Sequence, residues 1–159
     1  MPGENTGLLA SVPNAGIRAI IPAGRATDAL TTLGFMVTIA LIAAAVLIAA
    51  LGVAHSILGE KYIIGWLLKH DLPRLFGGTS FTAGTIRFAW HITTVLFVGL
   101  AGVLLAIAMG APTSTVLVVI GSTFTLSAVL PIWFTRARHL SWVVLLVAGG
   151  LCFWGAAGF

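Results

Sequence analysis

FAWHITTVLFVGLAGVLLAIAMGAPTSTVLVVIGSTFTLSAVLPIWFT, Phe88–Thr135, runs for 48 residues without one Asp, Glu, Lys or Arg. A helix that crosses the roughly 30 Å hydrocarbon core of a bilayer needs about 20 apolar residues, because it rises about 1.5 Å per residue. The stretch is therefore too long for one spanning helix and right for two. Gly110-Ala111-Pro112-Thr113 lies near its middle and supplies the break.

The rest of the chain reads the same way. It has 159 residues, 59% hydrophobic and 8% charged, and its mean hydropathy is +1.12. Ordinary soluble domains carry about 25% charged residues. Two further apolar segments, residues 30–54 and 140–157, flank residues 88–109 and 114–134. In lipid every backbone polar group must be satisfied within the chain, so all four are read as helices. The expected fold is an all-α, polytopic four-helix transmembrane bundle over residues 30–159. An amphipathic extension, residues 56–69, follows the first helix. Its Ile57, Leu58, Tyr62, Ile63, Trp66 and Leu67 are spaced for one helical face. The first apolar run is too long for the apolar region of a cleaved signal peptide. The single Cys152 excludes an internal disulfide.

Charge sets the expected orientation. The net charge of +4 comes from basic residues that flank apolar segments, which points to lipid and topology rather than to nucleic acid. Lys61, Lys69, Arg74 and Arg87 lie in loop 55–87, and Arg136 and Arg138 lie between the last two helices. Only Arg18 and Arg25 fall on the other side. The positive-inside rule places loop 55–87 in the cytoplasm and both termini outside. In the N-terminal segment, residues 1–29, Ile17, Ile20 and Ile21 lie between Pro13 and Pro22. They allow one apolar turn on the membrane surface, the alternative being an untethered terminus.

That topology brings three histidines to one membrane level: His55 at the end of the first span, His91 at the start of the second and His139 at the start of the fourth. Glu60 follows a little over one turn beyond His55. Ionisable groups at this depth are a functional hypothesis by default. One reading is a ligand set of His55, His91, His139 and Glu60 for a transition metal, or imidazoles for haem. The other is a structural polar network in which Arg87, Arg136 or Arg138 pairs with Glu60, with Trp90 and Trp142 as interfacial anchors. No His-x-x-x-His or Glu-x-x-His pair supports a metal by spacing. His70, in the Lys69-His70-Asp71 turn, reads as solvated. There is no phosphate-binding glycine loop, no Gly-x-Ser-x-Gly elbow, and no charge deep in a span to carry a proton or ion.

The motifs His-Ser-x-Leu-Gly-Glu at 55–60, Arg-Phe-Ala-Trp-His at 87–91 and Arg-His-Leu-x-Trp at 138–142 resemble those of small four-helix bacterial inner-membrane proteins with no assigned activity. The resemblance covers about the last two-thirds of the chain. It implies a bacterial inner-membrane location and a four-helix fold, and no activity. The functional expectation is a non-catalytic accessory subunit of a larger membrane complex, energy-transducing or photosynthetic in type, contacting lipid and other membrane subunits. The alternatives are a metal- or haem-binding membrane protein and a self-associating bundle.

Overall fold

The computed structural model describes residues 23–158, and the Ile17–Ile21 turn considered above lies outside them. All regular structure among the described residues is helical. The elements are α1 (Ala23–Leu58), a π-helical stretch (Gly59–Ile64), α2 (Gly65–Leu67), α3 (Ser80–Ala108), α4 (Thr113–Thr135) and α5 (Ser141–Ala157). Three helical runs are long and apolar enough to cross a membrane: Thr27–Leu67, Ser80–Ala108 and Thr113–Thr135. The apolar α5 is shorter, at 17 residues.

Two helices start earlier than hydropathy suggested. α1 begins at Ala23 and α3 at Ser80, ahead of residues 30 and 88. Polar residues in a first turn do not oppose a helix; they only hide it from a search for apolar runs. Upstream of α3, Phe76 and Gly77 both have positive φ (53° and 85°) and close a turn in which the Leu75 and Gly78 backbones pair. The break between α3 and α4 falls where Gly110-Ala111-Pro112 placed it. Gly110 takes φ +65°, the Gly110 N–H donates to Ile107 O at 3.0 Å, and the Ala111 N–H donates to Ala106 O at 2.9 Å. This is a Schellman end, with glycine in the left-handed position that a side chain would strain. α4 ends with the same 6→1 bond, from Ala137 N–H to Ile132 O, but Arg136 occupies the glycine position at φ +53°. Ala137 follows at φ +59°.

The four expected helices form, and they pack in sequence order. α1 packs on α3, α3 on α4 and α4 on α5, and among the described residues no other pair of long helices meets. The four helices make an open row, and among the described residues nothing covers either face of it. Ala45, Gly52, Ala101, Ala106, Gly121 and Ala128 are buried at the seams, while large side chains such as Leu47 (71% exposed) and Val144 (69% exposed) point outward.

Small residues set the helix separations, as expected where close packing replaces the hydrophobic effect. Gly121 and Gly149 face each other across α4 and α5, and a Cβ on either would come within 3.0 Å of the other's carbonyl oxygen. Gly149 rather than Gly150 makes this seam; Gly150 has nothing near it. Gly84 of α3 lies against the Phe134 carbonyl of α4, with no room for a Cβ.

The extension after α1 keeps its apolar face outward. Ile57, Leu58, Tyr62, Ile63 and Trp66 are exposed, whereas Ile64 is fully buried. The π turn from Gly59 to Ile64 widens the helix and turns Ile64 inward.

Candidate functional site

The π turn places Glu60 against α3. Arg87 donates to Glu60 Oε1 from Nη2 at 2.8 Å and from Nε at 3.1 Å. Glu60 Oε2 faces His91 Nε2 at 3.3 Å. The other imidazole nitrogen, Nδ1, lies 2.6 Å from Ser56 Oγ, which is also 2.7 Å from Thr94 Oγ1. Thr94 donates its hydroxyl proton to Gly52 O at 3.0 Å. Ser56 therefore donates to Thr94 and accepts from His91 Nδ1, since each hydroxyl has one proton to give. The result is a continuous polar seam from Gly52 to Arg87 that joins α1, the π turn and α3.

Tight packing fixes the seam beside it. Gly59 sits against the Trp90 indole, where no Cβ fits. The Trp90 Nε1–H donates to His55 O at 3.1 Å, and the indole stacks on the His55 imidazole with centroids 4.4 Å apart and planes 5° apart.

Of the four residues considered as a ligand set, only Glu60 and His91 meet. His55 lies flat on Trp90, with its buried Nε2 unpartnered. His139 Nδ1 pairs with Ser141 Oγ at 2.9 Å, and its ring meets Phe88 edge-on at 4.8 Å. Aromatic rings thus separate the histidines: Trp90 beside His55, Phe134 beside His91 and Phe88 beside His139. Among the described residues no group of three or more His, Cys, Asp or Glu is gathered closely enough to hold a metal ion. Both ring nitrogens of His91 already have protein partners.

Ser56, His91 and Glu60 are the residue types of a hydrolase triad, yet the setting does not suit acyl transfer. The Ser56 hydroxyl is committed to Thr94. Ser56 also sits inside a helix, where backbone N–H groups are already bonded and none is free to hold an oxyanion. The arrangement can pin helices and stabilise a carboxylate among apolar helices.

Of the expected polar network, Arg87 pairs with Glu60, while Arg136 and Arg138 do not; they turn to a cavity between α3 and α4. The Trp142 Nε1–H donates to Ala137 O at 3.1 Å and braces the turn that carries both arginines. Exposed His70 reaches back to Trp66 O at 3.1 Å. Sequence reasoning missed Ser56, Thr94 and Gly59. Ser56 and Thr94 are polar residues near span ends with no spacing signature, and the pairing of Gly59 with Trp90 depends on the π turn.

Comparison with protein families, characterised proteins and solved structures finds none that matches this chain.

Proposed function

We propose that this chain is a multi-pass membrane protein and a non-catalytic accessory subunit of a larger membrane assembly. The observation that carries this is the open row of helices, whose two faces present apolar side chains and whose helices, among the described residues, pack only on their neighbours in sequence. Leaving such side chains in water would cost about 25 cal/mol per Å² of apolar surface, so lipid or protein covers them. α1, with 36 residues, is roughly 54 Å long and exceeds the hydrocarbon thickness. Its continuation through the π turn, with Lys61 and Lys69, then follows the headgroup region. The row fits a bacterial inner membrane with the arginine-rich edge cytoplasmic and both termini outside.

The polar seam supports a structural role. Ser56, Glu60, Arg87, His91 and Thr94 each have a protein partner, and a carboxylate paired with an arginine stays put at an interface. An energy-transducing or photosynthetic complex is the class of assembly proposed. The test is purification from the native membrane in mild detergent, with mass spectrometry, elemental analysis and a visible spectrum on one peak. Migration with larger subunits, and His91→Ala removing no metal or colour, is the expected result. A small peak with about one metal or haem per chain, lost in H91A, would overturn the proposal.

A further inference from the structure

We propose that the cavity between the start of α3 and the end of α4 holds the phosphate of an anionic phospholipid, with an acyl chain lying in the apolar groove beyond it. The cavity has a volume of about 350 Å³ and is lined by Arg87, Arg136 and Arg138, with Ser80, Thr135 and Trp133 among the other residues. Its lining includes three arginines and no acidic residue. Arg136 and Arg138 have no ion-pair partner among the described residues, whereas Arg87 shares its charge with Glu60. Guanidinium groups suit a phosphate geometrically, because their forked donors match its oxygens.

The backbone gives an independent indication. Arg136 sits in the left-handed slot that glycine fills at the end of α3, and Ala137 follows in the same region. That turn is strained for residues with a Cβ and brings Arg136 and Arg138 to the border of one cavity. Strain retained at a charged turn points to function.

A second cavity argues for a lipid over free phosphate. A groove of about 370 Å³ runs between α3 and α4, lined by Thr94, Val98, Val118, Ser122 and Leu126 among others. Arg87, Thr94 and Val98 fall on one face of α3, at i, i+7 and i+11. Ser122, Leu126 and Trp133 fall on one face of α4, at i, i+4 and i+11. The groove therefore lies on the same side of the row as the arginine cavity, roughly one to two helical turns further along, although the two share no lining residue. A soluble phosphate would use the first and have no use for the second.

The site presupposes insertion in a bilayer, as proposed above. Native mass spectrometry of the detergent-purified full chain tests it, with phosphatidylglycerol, phosphatidylcholine and inorganic phosphate as probes. One phosphatidylglycerol should be retained in preference to phosphatidylcholine, and millimolar inorganic phosphate should not displace it. The R136Q/R138Q double variant should lower retention about 30-fold, from roughly fivefold per basic side chain near an anionic surface. V98W, which fills the groove from a half-exposed position, should lower it as well. Arg136→Gly should raise thermal stability while weakening retention, which a merely structural arginine would not do. Equal retention of the two lipids by wild-type protein would overturn the site alone, as would displacement by inorganic phosphate, which would mark a soluble-anion site. Release of the chain from membranes by alkaline carbonate would overturn bilayer insertion and the site with it.

Discussion

Gly84→Ala should separate α3 from α4, and the size of the effect follows from what the new methyl group meets. At Gly84 the obstacle is the backbone carbonyl of Phe134, which cannot rotate aside as a side chain would. Overpacking of this kind costs typically 1–3 kcal/mol. Against it stands the gain of about 0.5–1 kcal/mol when alanine replaces glycine in a helix interior. Gly150→Ala is the matched control. It is also a helical glycine of the row, but a Cβ there has nothing within 4 Å. The propensity gain is common to both variants, so their difference isolates the clash at about 1–3 kcal/mol. G150A should be neutral or slightly more stable than wild type, and G84A less stable. Reversible unfolding in detergent, followed by far-ultraviolet circular dichroism, measures both. Equal stability of the two variants would refute the α3–α4 packing, and with it the walls of the arginine cavity.

Three other expectations follow from the seam and the strained turn. Gly59→Ala should destabilise by about 1–3 kcal/mol through the Trp90 indole, but should cost little in a Trp90→Val background, where the obstructing ring is gone; thermal unfolding of the two singles and the double measures this coupling. Glu60→Gln and Arg87→Gln should each cost about 1 kcal/mol or less, because the side chains remain 39% and 40% exposed, and the double variant should cost less than their sum; denaturation of the same cycle reads it. Ala137→Gly should stabilise by about 0.5–1 kcal/mol by relieving a positive φ, seen as a higher unfolding midpoint.

Much of the fold was legible because its helices are long, apolar and nearly free of charge. Length, apolar runs and the Gly110-Ala111-Pro112 break located the helical segments and the α3–α4 turn. The start of α3 at Ser80 was not legible, since polar first turns carry no hydropathy signal. Nor was the open row. Hydropathy marks a helix as apolar but does not say whether lipid, a partner or a neighbouring helix touches each face. The Glu60–Arg87 pair was among the alternatives read from charge. The exact seam was hidden because a π turn follows Leu58 and brings Gly59 and Ile64 inward. The four residues of the ligand set are not gathered together for a related reason: a shared level along the helices is one coordinate of three, and aromatic rings lie beside each histidine. Arg136 in a glycine position could not be seen from sequence at all, because nothing in Thr135-Arg136-Ala137 announces a left-handed turn.

The most direct test of the central claim is photo-cross-linking in the native membrane. A photoreactive residue is placed at Leu47, Leu126 or Trp154, all exposed on the row, and at buried Ala128 as the internal control. The account predicts that one or more exposed positions yield a discrete adduct with another polypeptide of fixed mass, while position 128 yields only products within this chain. Adducts with lipid alone at every exposed position would contradict it and leave a self-sufficient membrane protein in place of an accessory subunit.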